Sequence, residues 1–310
     1  MRSAFGLALV LGVASLLAPS GAGPARSQSS AINEKINAYI ACINRLSERS
    51  HDSRRRYFSW VGKNGPTGKE RIIYGLYTIY DTTDCRKKVE AANVLEPRDP
   101  DLEKAAADYA TSVGILEGLL KEADDYYTQE NYKDDKMAKG RAMHPTLVAA
   151  WEAFADADKR LRAGIDELQD ALAGQRIADI ERTEGLSDRY HIEAVMLSGK
   201  RLMRVQTASP PDLTAMSKAL EDYEAILKAT ETYAAVNKGS KIGSSFISSG
   251  KSYLTTAKQL MRRVRDKVPY SQGDKMMLDA GGGWMVEGSP ARLTRDYNQL
   301  VESYNRGGRF

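Results

Sequence analysis

Apolar residues recur at alternating steps of four and three along most of this chain, which restricts it to packed helices. Between 99 and 131 the seam runs Leu102, Ala106, Tyr109, Val113, Leu116, Leu120, Ala123, Tyr127. The next segment repeats it through Leu147, Trp151, Phe154, Asp158, Leu161, Ile165, Leu168 and Leu172. Shorter seams follow in Leu213, Met216, Leu220, Tyr223, Leu227, then in Phe246, Gly250, Tyr253, Ala257, Leu260, Val264, and finally in Leu293, Tyr297, Leu300, Tyr304. One helical face every 3.5 to 3.6 residues gives this pattern, and no window shows the alternation of a strand. The seams carry Ala and Tyr, so coiled-coil-like packing inside an antiparallel bundle of long helices suits them better than a free-standing coiled coil. The expected class is all-α, with two stacked subdomains as one form of it.

Local signals place the helix ends. Asp99-Pro100 offers a cap followed by proline in the first turn, His144-Pro145 and Ser289-Pro290 read as similar starts, and Pro210-Pro211-Asp212 separates two helices. Helices are expected near 31–61, 69–93, 99–131, 145–182, 186–207, 212–237, 242–268 and 289–305. Gly174 and Gly185 bracket a phase slip, read as a kink or subdomain joint near 174–185 within a domain spanning 26–310. Two connections are unusually long, the polar and aperiodic 128–144 and the stretch 269–288 with Gly281-Gly282-Gly283-Trp284, and connections of that length tend to be functional or disordered.

Residues 1–25 have the form of a secretory signal peptide. Arg2 is followed by an apolar run over 7–17 and then by small residues, with cleavage after Ala22 or Ala25 both compatible. The expected location is the periplasm or the exterior. No later apolar run approaches a membrane span, and no cysteine near the cleavage region suits lipid attachment. The net charge of +4 is too small to argue for nucleic acid. No cofactor is expected.

The only two cysteines are Cys42 and Cys85. If helices over 31–61 and 69–93 form a hairpin turning at 65–66, the cysteines lie about 23 residues before and about 20 after the turn. Their offset is then roughly 5–6 Å along the axis, close to the Cα separation that a disulfide accepts.

No catalytic set is complete. The glycines of 62–69 resemble a phosphate loop, but the spacing is one residue too long, Glu70 stands where Ser or Thr belongs, and no strand precedes it. Ser248-Ser-Gly-Lys251 matches S-x-x-K without the Lys-Thr-Gly and Ser-Asp-Asn elements that accompany it in penicillin-recognising enzymes; small residues around Gly250 instead suit close helix packing. None of His51, His144 and His191 has an i+4 partner for zinc, so no metal site is assigned. Asp158, in a core position, calls for a cationic partner on a neighbouring helix. Arg54-Arg55-Arg56-Tyr57-Phe58 with Trp60, and Arg262-Arg263-Val-Arg265, read as solvated faces, with peripheral membrane contact as the alternative. The mixed charges and aromatics of 132–144 nominate Tyr132, Asp134, Asp135, Lys139 and His144 as a ligand site for a polar molecule such as a glycan or peptide. A hydrolase or metal-dependent enzyme around Asp134, Asp135 and His144 is the competing class.

Several of these elements also carry a resemblance. Residues 39–46, Tyr126-Tyr127, Tyr132-Lys-Asp-Asp135, Lys139-Gly140, Gly288-Ser-Pro, Leu293, Tyr297-Asn298, Leu300-Val301 and Tyr304-Asn305 together resemble the YiiG-like envelope proteins, a bacterial family grouped as a domain of unknown function. The resemblance spans about 35–305. It implies a helical envelope protein that binds another envelope component, protein or glycan, or acts structurally. Many such relatives look like lipoproteins, whereas this chain has no lipobox cysteine. The resemblance supplies no catalytic residue.

Overall fold

The computed structural model describes residues 24–307. The proposed leader lies outside them, apart from Pro24 and Ala25. Among the described residues the fold is all-α: α1 Pro24–Phe58, α2 Thr83–Asn93, α3 Pro100–Thr128, α4 Ala138–Glu184, α5 Asp188–Gln206, α6 Leu213–Val236, α7 Ser244–Arg265, α8 Gln272–Asp279 and α9 Pro290–Gly307. None of these helices is long and apolar enough to cross a membrane. The chain divides into two compact units between Leu168 and Gln169.

The N-terminal unit takes α1, α2, α3 and the first part of α4. Its core is the pair of seams read from the sequence: Leu102 through Tyr127 on α3 and Leu147 through Ile165 on α4 are buried. Asp99 caps α3 by accepting from the Leu102 amide, with Pro100 in the first turn. A third seam was hidden. Ile36, Tyr39, Ile43, Leu46, Ser50, Ser53 and Tyr57 of α1 step by three and four and are all buried. Serines occupy the middle of that seam; Ser50 donates to the Leu46 carbonyl within its own helix, so burial leaves its hydroxyl satisfied.

The expected second helix over 69–93 forms only from Thr83 onward. Residues 69–82 instead form neither helix nor strand, with Tyr74 to Tyr80 drawn out along α1. Ile72, Ile73, Thr78 and Ile79 are β-branched and Gly75 adopts φ +63°, both adverse to helix. This extended segment pairs with no strand, so its carbonyls need other donors. One stripe of α1 and the turn that follows it supply them. Arg49 Nε donates to Thr78 O (2.9 Å), Ser53 Oγ to Tyr77 O (2.5 Å), Arg56 Nε to Tyr74 O (3.1 Å) and Trp60 Nε1 to Gly75 O (2.7 Å). Cys42 and Cys85 are joined by a disulfide, with Cα atoms 5.1 Å apart. The pairing is therefore present, although the hairpin that suggested it is half helix and half extended chain.

The C-terminal unit contains the end of α4 and α5 to α9. Leu220, Tyr223 and Leu227 of α6, Phe246, Tyr253 and Leu260 of α7, and Leu293 and Leu300 of α9 close around Val195 and Leu202 of α5. Leu213, placed in the α6 seam by its spacing, is exposed because it opens the helix. A Cβ on Gly250 would come within 2.8 Å of Leu227 and 3.3 Å of Tyr223, so α7 approaches α6 closely there. α4 runs unbroken through Gly174 and ends before Gly185, whose φ is +70°. The long connection 269–288 is partly helical. Ser271 and Asp274 form a capping box that starts α8, and a short 3₁₀ turn covers Gly283–Met285.

Candidate functional site

The nominated loop is shorter and more ordered than its sequence suggests. α3 continues to Thr128 and α4 starts at Ala138, so only residues 129–137 connect them, with a 3₁₀ turn at Asn131–Lys133. His144 and Pro145 therefore lie inside α4 rather than at its start. The start is fixed by Asp135, whose carboxylate accepts from the Ala138 amide (3.1 Å) and the Lys139 amide (2.8 Å). A proline seven residues into the helix removes one backbone donor, and the turn before it is held by this cap.

Glu130, Lys136 and Met137 all adopt positive φ, at 58°, 53° and 68°. Non-glycine residues there cost energy and persist only where surrounding structure enforces them. The enforcement is visible. Met137 is buried, its amide donates to Tyr132 O (3.1 Å), and its sulfur lies 3.9 Å from Tyr126 Oη. Tyr126 donates to Asp135 (2.8 Å). Burial, followed by that carboxylate, pushes the Tyr126 hydroxyl up to about 12. Burial works against the Asp135 charge, but the Lys139, Tyr126 and Ala138 donors outweigh it and hold the carboxyl below its usual range.

His144 belongs to a different set of contacts. It is buried against the 62–69 turn, where Gly65 at φ +92° leaves room: a Cβ there would lie 3.1 Å from the imidazole. Its Nε2 donates to the Lys63 carbonyl (3.2 Å), so the Tyr57 hydroxyl, 3.0 Å from Nδ1, is the donor on the other side. Tyr57 in turn packs among Phe58, Trp60, Tyr127 and Trp151, with ring centroids 5.3 to 6.4 Å away. The glycine-rich turn that resembled a phosphate loop is thus a socket for His144. Glu70 folds back onto it, accepting from Thr67 N (2.5 Å) and Gly68 N (2.8 Å).

Of the five nominated residues, Tyr132 and Asp135 share the loop scaffold, Asp134 stands exposed on it, Lys139 is exposed in the first turn of α4, and His144 faces inward. Among the described residues no three His, Cys, Asp or Glu side chains group as a metal-ligand set. Asp158 is buried as expected, but its cation comes from its own helix: Arg162 Nε donates to Oδ2 at 2.9 Å. The neighbouring α1 contributes Ser47 Oγ, donating to Oδ1 at 2.7 Å, and His51 Nε2 at 3.6 Å. Ser47 bonds the carboxylate directly rather than a histidine, so the trio lacks the order of an activated nucleophile.

The sequence reading missed the Arg–Tyr face of α1. Arg45 stacks over Tyr80 (5.6 Å), Arg49 over Tyr77 (4.1 Å), and Arg56 over both Tyr74 and Tyr77 (5.2 and 5.0 Å). Tyrosines at every third position from 74 to 80 were its visible signal.

The described residues thus define an all-α chain with a polar loop and a stacked Arg–Tyr face. A family model described as a protein of unknown function (DUF3829) matches residues 30–306, and the chain belongs to that family. It is similar to the uncharacterized protein YiiG of Escherichia coli (strain K12), being 37% identical over 289 residues, which cover 92% of this chain and 81% of the relative. No solved structure matches the chain.

The loop geometry separates two substitutions. Asp135→Ala removes the α4 cap and is expected to cost about 1 kcal/mol, whereas Asp134→Ala is expected to leave stability unchanged. Thermal denaturation of the two single variants checks this.

Proposed function

We propose that this is an exported, non-catalytic protein of the bacterial cell envelope that binds another envelope component through its N-terminal unit. One observation carries the reading: the groups able to move protons there, His144, Asp135 and Asp158, use their hydrogen-bonding capacity within the fold. What remains at the surface is Asp134 and Lys136 on the strained connection 129–137 and, in the first turn of α4, Lys139 paired with Glu122, together with the Arg–Tyr face. The Cys42–Cys85 disulfide supports an oxidising compartment, and the 1–25 pattern supports export to it. A hydrolase built on Asp134, Asp135 and His144 would need those side chains to converge on one reacting atom. Asp135 and His144 instead face different partners.

The test is a photocrosslinking residue placed at position 134 of the full chain in intact cells, with the same residue at the exposed position 94 as comparison. The expected result is an adduct with an envelope component from position 134 alone. Identical adducts from both positions, or none from 134, would contradict a binding role for the loop.

A further inference from the structure

The positive charge of this chain is concentrated in one stretch of sequence. Between residues 45 and 80 there are eight Lys or Arg against three Asp or Glu, an excess of five, while the whole chain carries +4. The remainder is therefore slightly acidic. Two of the three carboxylates are already engaged: Asp52 pairs with Arg55, and Glu70 is held in the 62–69 turn. Glu48 is exposed, and Asp81 and Asp84 lie close enough to Arg45 to feel its charge. Arg49 and Arg56 form no ion pair among the described residues. Each is instead oriented by a tyrosine ring and by a backbone carbonyl that takes its Nε–H, at Thr78 and Tyr74. The terminal guanidinium nitrogens stay available for a ligand.

Fixing an arginine in this way removes much of the ordering cost of binding, and its planar fork matches a carboxylate or phosphate. Arg45, Arg49 and Arg56 mount one side of α1 at intervals of four and seven residues, roughly 6 and 10 Å along the axis. The cations thus form a narrow row rather than a broad patch. Beside it the extended segment exposes apolar surface: Ile72 is 50% exposed, Tyr74 46% and Tyr80 59%. A row of fixed cations flanked by tyrosine and isoleucine fits an extended polymer bearing repeated acidic groups and apolar CH faces. A lipid bilayer is met by long, mobile cations that reach to the headgroups, whereas these are held against rings and carbonyls.

We propose that the Arg45–Arg49–Arg56 row on α1, backed by Tyr74, Tyr77 and Tyr80, is a binding site for an acidic polysaccharide. This names the ligand class for the binding role above and rests on it. The test uses the purified full chain with fluorescently labelled polygalacturonate, read by anisotropy at low salt, with neutral dextran and anionic phospholipid vesicles in parallel. Polygalacturonate should bind, dextran should not, and added salt should weaken binding. The double variant Arg49→Gln/Arg56→Gln should lose affinity by about tenfold or more, the scale of losing a charge-assisted hydrogen bond. Arg45→Glu removes no bond to a backbone carbonyl and should weaken binding in the same direction while the helical circular dichroism spectrum is retained. Absence of polygalacturonate binding, equal binding to dextran, or undiminished binding by Arg45→Glu would overturn the site. Vesicle binding that the variants abolish, without polygalacturonate binding, would assign the row to lipid instead. Failure here leaves the crosslinking outcome at position 134 standing, so the two readings fail separately.

Discussion

Replacing Cys42 and Cys85 by serine is expected to destabilise the N-terminal unit by about 4 kcal/mol. The bridge closes a loop with a sequence separation of 43, which sets the entropy it removes from the unfolded chain. The loop also contains the segment 69–82, which holds to α1 through side-chain donors rather than a backbone ladder. Without the bridge nothing covalent returns that segment to α1. Urea denaturation followed by circular dichroism should show an earlier transition in the Cys42→Ser/Cys85→Ser variant, and the wild type in reductant should match it. Coincident curves for oxidised and reduced protein would contradict the expectation.

The second large effect is expected at the opposite end of α1. Lys35 is 2% exposed, and its ammonium lies 2.7 Å from Glu103 and 2.9 Å from the Pro97 carbonyl. Arg98 holds the second carboxylate oxygen of Glu103 at 2.7 Å, and the Asp99 amide donates to the first at 2.9 Å. Glu103→Ala would strand the buried ammonium and is expected to cost about 3–5 kcal/mol. The same network fixes a pH dependence. The Arg98 bonds, against burial and with help from Lys35, lower the Glu103 carboxyl from 4.5 to about 2. Its contribution is therefore complete above pH 4.5 and disappears as pH falls through about 2. Asp158, held low by His51, Arg162 and Ser47 against its burial, acts with the same sign. Urea midpoints measured on the acid side should fall more steeply for the wild type than for Glu103→Gln. Parallel profiles would remove Glu103 from the account.

The helices that the sequence announces are those whose seams are apolar throughout. Leu102 to Tyr127 and Leu147 to Ile165 go to the core where their spacing puts them. The α1 seam was illegible because Ser50 and Ser53 sit in it, and a buried serine looks like a surface one until its acceptor is known. The run from Ile72 to Tyr80 misleads in the other direction. Its apolar residues fit helical spacing, and only the tertiary offer of donors from Arg49, Ser53, Arg56 and Trp60 makes the extended form affordable. The cysteine pairing survives that error because the two branches of chain return to the same level of α1 in either form. At the nominated site, chemistry-bearing residues could be picked out but not their directions. His144 turns inward because Tyr57, 87 positions earlier, and the Lys63 carbonyl meet it there. Asp135 reads as a ligand in sequence and is the cap of α4 in the fold.

Export with a closed Cys42–Cys85 bond is the premise of the proposed binding role. The most direct test is the intact mass of the full-length gene product recovered from the periplasmic fraction. The expected mass is that of a chain beginning after Ala22 or Ala25, less two hydrogens for the Cys42–Cys85 bond. A chain retaining residues 1–25 in the cytosol with two free thiols would contradict it.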